Sequence, residues 1–165
     1  MKIVVTGSQG FIGKNLCTYL QEKHHDILKV NRKTTQDDIR LYLKKADFVF
    51  HLAGSNRPED TNEFQTINVD LTSFIVDELA HSGRKIPLVL TSSTQATSDN
   101  NYGLSKLAAE KLVQSYSYDS GAASYIFRLP NVFGKWCKPN YNSFIATFCS
   151  NVLSGTENTI NDPKI

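Results

Sequence analysis

The stretch that most restricts how this chain can fold is Thr6-Gly7-Ser8-Gln9-Gly10-Phe11-Ile12-Gly13. It follows the β-branched run Ile3-Val4-Val5 and opens a helical pattern over 11–22. Glycines at a three-residue interval permit a tight turn, a close approach of backbone N–H groups to an anion, and close packing of helix on strand. The start of the helix adds positive potential for that anion. Strand, glycine turn and helix in this order predict the first unit of a parallel sheet and a diphosphate site at Gly7, Gly10, Phe11, Ile12 and Gly13.

The remaining pattern agrees. Apolar runs at 27–30, 47–52, 87–91 and 124–129 read as strands, and helical spacing appears at 36–45, 62–81, 104–116 and 142–153, with Asn100 or Asn101 as cap of the third of these. Alternation at this interval predicts an α/β fold, a Rossmann-like doubly wound parallel sheet, in one domain over 1–165.

Composition excludes several classes of partner. A net charge of +2 over 165 residues, with both signs interspersed, argues against nucleic acid or an anionic membrane as the main ligand. No apolar run approaches membrane-spanning length. Cys17, Cys137 and Cys149 are odd in number and lack the close pairing of a zinc or redox motif, which predicts reduced thiols, no metal site and a cytoplasmic setting. Small polar molecules remain as ligands.

The glycine spacing, Gly-x-x-Gly-x-x-Gly, together with Tyr102-Gly103-Leu104-Ser105-Lys106, resembles the extended short-chain dehydrogenase/reductase superfamily. That resemblance implies a nicotinamide cofactor and a catalytic set of Ser93, Tyr102 and Lys106, with Thr94 as the register alternative to Ser93. The residue types suit the chemistry. A carbonyl that receives hydride becomes an alkoxide needing a proton, which a phenol holds tightly unless a nearby ammonium favours the phenolate. A serine hydroxyl can orient the carbonyl oxygen.

The second strand ends in Asn31-Arg32-Lys33, where an NAD-binding chain usually offers a carboxylate to the ribose. A guanidinium there can grip a 2′-phosphate through paired charge-assisted bonds, so NADP(H) is favoured over NAD(H), with Asn31 and Arg32 at the cofactor and Lys14 as a further cation. By the same resemblance Leu52, Ala53 and Gly54 line the cofactor, Asn68 holds backbone and water near the lysine, Pro130 contacts the nicotinamide, and Asn131 meets the substrate phosphate. Arg57 and Lys138, with Lys135, Asn140 and Trp136 nearby, are candidates to bind the substrate.

Longer stretches, such as Lys45 to Glu59 and Gly134 to Ser143, resemble reductases that act on 4-keto UDP-deoxy-N-acetyl-hexosamines in capsule precursor synthesis. In that branch the substrate is a UDP-sugar and a zinc-binding cupin domain follows, while the superfamily often forms a homodimer through the helix carrying Tyr102 and the helix over 62–81, which the resemblance implies as an option for this chain. Two departures stand out. Fourteen residues separate Arg32 from Asp47, so the superfamily's third strand is short or absent, and the carboxyl-terminal substrate subdomain is missing, so the chain reads as a fragment that binds cofactor with little turnover. The alternatives are an NAD-dependent nucleotide-sugar epimerase or dehydratase and a non-catalytic NADP(H)-sensing module. Against a dehydratase, Thr94-Gln95 stands where an acidic pair is expected, and against a sensor, Tyr102 and Lys106 are present.

Overall fold

In the computed structural model, which describes residues 1–160, strand β1 (Lys2–Thr6) is buried from Ile3 to Thr6. Such a strand must be covered on both faces, as in a parallel sheet between helices. Helix α1 (Phe11–Glu22) covers one face. Its Gly13, Cys17 and Leu20, at i, i+4 and i+7, are buried, and Cys17 and Leu20 pack with Ile3 and Val5. The chain then enters β2 (Asp26–Lys29) beside β1 and returns through α2 (Gln36–Lys45) to β3 (Phe48–His51) on the other side of β1.

Helix α2 is well specified locally. Thr35 caps it by accepting from the Asp38 N–H, acidic Asp37 and Asp38 occupy the first turn, and Lys44 and Lys45 the last. Its Ile39 and Leu43 join Val4 and Val49 on the face opposite α1.

After β3 the chain forms a π-helical segment (Phe64–Asp70), helix α3 (Leu71–His81), strand β4 (Leu88–Ser93), a 3₁₀ turn (Thr94–Thr97), helix α4 (Asn101–Ser120) and strand β5 (Ser124–Leu129). All four strand pairings are parallel and the order is β2-β1-β3-β4-β5. The superfamily's extra strand is absent, as the short 32–47 interval predicts: α2 leads directly from the edge strand back to the sheet centre. The larger core is built by Val4, Val49, Leu88 and Leu90 of the sheet with Ile75, Leu79, Ala109 and Val113 of α3 and α4. On the α1 face, Tyr125 and Phe127 of β5 are about half exposed.

Two expected elements differ in detail. The helix predicted over 62–81 is not one α-helix, because its first part has wide i→i+5 turns, with the Leu71 N–H bonded to the Thr66 carbonyl. The helix predicted over 104–116 begins earlier, capped by Asn100, whose side chain accepts from the Gly103 N–H. This places Tyr102 in its first turn.

Met1–Pro130 forms one compact unit and a second begins at Asn131. The second contains helix α5 (Phe144–Ser154), capped by Ser143 and ended by Gly155 in the left-handed conformation. Phe144 and Phe148 meet edge to face along it.

Candidate functional site

The connection between β1 and β2 lies on one face of the sheet and that between β2 and β3 on the other, so the chain parts at the carboxyl ends of β1 and β3. Open α/β sheets bind ligands at such a switch point. The glycine turn sits there. Gly7 has φ +64, and a Cβ on it would lie 2.8 Å from the Ala53 nitrogen; a Cβ on Gly13 would overlap the Gly7 carbonyl. These two glycines are demanded by the fold itself. Gly10 has an ordinary φ of −72, and a Cβ there would meet only the Gly7 carbonyl, at 3.2 Å. The smallness of Gly10 therefore suits a ligand lying over the turn, and residues 7–13 fit a dinucleotide diphosphate at the amino end of α1. Phe11 and Ile12 are half-buried at that helix start.

Ser8 ties the turn to the next strand, its N–H and its hydroxyl both donating to the Val30 carbonyl. Beyond Val30, Asn31 folds into a local turn: its side-chain oxygen accepts from the Lys33 N–H, and its own N–H donates to the Thr34 hydroxyl. Arg32 is held on this turn with its side chain exposed.

A buried hydrogen-bonded chain joins β1 to the π-helical segment. The Thr6 hydroxyl oxygen accepts from the Leu52 and Ala53 N–H groups at 3.1 and 3.0 Å, so its proton is free to donate to His51 Nδ1, 2.7 Å away. Thr72 donates to the Asn68 carbonyl at 2.7 Å, so its oxygen receives the Nε2–H of His51 at 2.9 Å. Donor counting thus assigns a neutral imidazole protonated on Nε2. Burial, with a contribution from the charge of Lys106, pushes the His51 pKa down to about 3. His51 is wholly buried and serves as a fixed link rather than a proton shuttle at neutral pH.

Asn68 continues this chain on the wide turns of the π-helical segment, geometry frequent at functional sites. Its side-chain oxygen accepts from the Ser55 N–H, and its amide donates to the Ser55 carbonyl and the Ser105 hydroxyl. Ser105 in turn donates to the carbonyl of Tyr102. Gly103 allows α4 to start close against the preceding turn, since a Cβ there would overlap the carbonyl oxygens of Gln95 and Ser98. Every residue of Tyr102-Gly103-Leu104-Ser105-Lys106 except the exposed Leu104 is therefore held by, or fitted to, its surroundings; the Tyr102 ring packs 5.9 Å from that of Phe64.

Lys106 lies one turn further along α4, with 5% of its surface exposed. Its ammonium donates to the Thr91 carbonyl at 2.7 Å, and it borders the 52–54 loop: a Cβ on Gly54 would be 3.6 Å from Nζ. Burial lowers its pKa to about 8, against the raising effect of Glu110. Ser93 ends β4. Its oxygen accepts from the Gln95 N–H at 3.2 Å, leaving its hydroxyl proton to be donated. The neighbouring Ser92 is already committed to the Glu110 carboxylate, and Thr94 is exposed in the 3₁₀ turn.

The first unit thus places Gly7, Gly10, Gly13, Leu52, Ala53, Gly54, Asn68 and Lys106 at the carboxyl edge of the sheet, with Ser93 at the end of β4 and Tyr102 in the first turn of α4. Arg57 is exposed in the loop after β3, and Pro130 is the exposed last residue of the unit. Asn131 and Lys138 belong to the second unit, exposed ahead of α5.

Residues 3–163 match the NAD dependent epimerase/dehydratase family. The chain belongs to that family. Among its relatives within the family is the UDP-2-acetamido-2,6-beta-L-arabino-hexul-4-ose reductase of Pseudomonas aeruginosa, 47% identical over 98% of this chain and 44% of the relative. A crystal structure of the capsular polysaccharide assembling protein CapF from Staphylococcus aureus superposes with a TM-score of 0.84 at 48% identity, over 98% of this chain and 44% of that one. MoeE5 in complex with UDP-glucose and NAD superposes at 0.78 and 25% identity, over 94% of this chain and 62% of that one. This family member therefore spans less than half the length of the first two relatives.

Sequence reasoning passed over Glu110, His51, Thr6, Thr72, Ser105 and Gly103. Only Glu110 carried a signal that spacing exposes, four residues beyond Lys106 on one helix face.

Proposed function

We propose that the chain is the NADP(H)-binding part of a longer, cytoplasmic reductase that acts on the 4-keto group of a UDP-deoxy-N-acetyl-hexosamine in surface polysaccharide synthesis. The observation that carries this reading is the burial of the Lys106 ammonium beside the 52–54 loop, at the end of β4 where Ser93 lies. Burying an ammonium is unfavourable, and such groups cluster at working sites. The likeness to a UDP-sugar 4-keto reductase and to a capsule assembling protein supports the substrate class.

When bound, a reduced nicotinamide would supply hydride to the carbonyl carbon. In this reading Gly7, Gly10 and Gly13 with the start of α1 hold the diphosphate, Leu52, Ala53 and Gly54 flank the dinucleotide, and Arg32 pairs with the 2′-phosphate. Ser93 donates to the carbonyl oxygen and so orients it. Tyr102 delivers its phenolic proton to that oxygen as charge develops, and the Lys106 ammonium stabilises the phenolate left behind. Asn68 holds the Ser55 loop against α4. Arg57, Asn131 and Lys138 are assigned to the UDP-sugar, and Pro130 to the nicotinamide.

Calorimetric titration of NADPH and NADH tests the cofactor assignment. We expect NADPH to bind tighter by tenfold or more and Arg32→Asp to abolish that preference. An Arg32→Asp chain that still prefers NADPH overturns the assignment.

A further inference from the structure

We propose that Glu110, braced by Arg128, is a positioning residue for Lys106: it fixes α4 against β4 and β5 and supplies the carboxylate that faces the Lys106 ammonium one helical turn away. This deepens the role given to Lys106 above.

The clamp closes on a buried carboxylate, with the Arg128 guanidinium partly exposed. The Glu110 side chain is 3% exposed. Arg128 grips both its oxygens, Nε at 2.9 and 3.2 Å and Nη2 at 2.7 Å, and the Ser92 hydroxyl donates to it. One carboxylate therefore joins three elements: α4 through its own backbone, β4 through Ser92 and β5 through Arg128. Ser92 lies between Thr91, whose carbonyl receives the Lys106 ammonium, and Ser93. Any slip of α4 that moved Lys106 or Tyr102 relative to Ser93 would break the clamp.

Its charge matters as well as its bonds. A clamp that only held a helix in place would work equally well anywhere along α4. This one stands at i+4 from Lys106, on the same face, where a carboxylate offsets the desolvation of the ammonium. The groups facing Lys106 are few. Its own helix presents Glu110, β4 the Thr91 carbonyl, β3 the neutral His51, and the π-helical segment the uncharged Asn68 across Gly54, while the charge of Arg128 on β5 is directed at Glu110. Arg128 holds the Glu110 carboxyl below the usual carboxylate range, with burial opposing, so it stays ionised at neutral pH.

The test reads Lys106 directly by NMR of the chain carrying lysine labelled at Cε, its signal identified by loss in Lys106→Met. Lys106 should titrate near pH 8, and Glu110→Gln should lower that midpoint by one unit or more, about a tenfold loss of charged lysine on the alkaline side. Arg128→Gln leaves the carboxylate in place and should hold or raise the midpoint. An unchanged midpoint in Glu110→Gln, or an equal fall in both variants, overturns the proposal. Should Glu110→Gln fail to fold by circular dichroism, the neutral pair Glu110→Gln/Arg128→Gln replaces it: a midpoint below wild type supports the proposal, and one equal to wild type overturns it. These readings need no turnover, so a shifted midpoint in this chain, with no ketone reduction by the complete reading frame, would leave this inference standing and remove the reductase reading instead.

Discussion

Lysine at position 106 works against the stability of the chain that carries it. With its folded pKa near 8 and an ordinary value near 10.4 when unfolded, the unfolded chain holds a proton that the folded chain has released between those two values. More protons on the unfolded state means that stability rises with pH across that window and is least below pH 8, by on the order of 3 kcal/mol for this group. Lys106→Met should therefore be more stable than wild type in urea unfolding at pH 7, and the difference should shrink by pH 10. A Met variant less stable at pH 7 would mean that the ammonium contributes to folding. Residues kept at such a cost point to function.

Among elements, the strand, turn and helix at the amino end divide their glycines by role. Gly13→Ala must push the Gly7 carbonyl aside and should cost several kcal/mol or prevent folding, whereas Gly10→Ala should melt within a few degrees of wild type yet bind NADPH at least tenfold more weakly. Thermal melting and calorimetry on both variants check this, and comparable melting losses in the two would contradict it. These glycines were legible in sequence because the turn that needs them is local, as were a cap at Asn100 or Asn101 and a short or absent third strand, which follows from chain length alone. The π-helical turns around Asn68 were not, since apolar spacing over 62–81 looks the same whether hydrogen bonds close at i+4 or i+5. The pairing of Glu110 with Arg128 joins a helix to the following strand across eighteen residues. His51 reads as a polar strand end until the sheet places Thr6 on one side of it and α3 places Thr72 on the other.

At the scale of the whole molecule, a solvent-facing groove runs between the π-helical segment and α4, lined by Phe64, Val69, Leu104 and Ala108. Leu104 is half exposed on it. The homodimer expected from the sequence through these two elements would cover this groove, and in that case Leu104→Glu should convert a dimer to a monomer in sedimentation while leaving the fold intact. A wild-type chain that sediments as a monomer at high micromolar concentration would remove that reading. The central claim concerns Tyr102 at the start of α4, with Lys106 and Ser93, as a proton donor beside a bound nicotinamide. Its most direct measurement is Tyr102→Phe in the complete reading frame, following NADPH oxidation with a 4-keto UDP-sugar and NADPH binding by calorimetry. The account predicts a loss of reduction of at least a thousandfold with cofactor affinity within a few-fold of wild type, and reduction at an undiminished rate would contradict it.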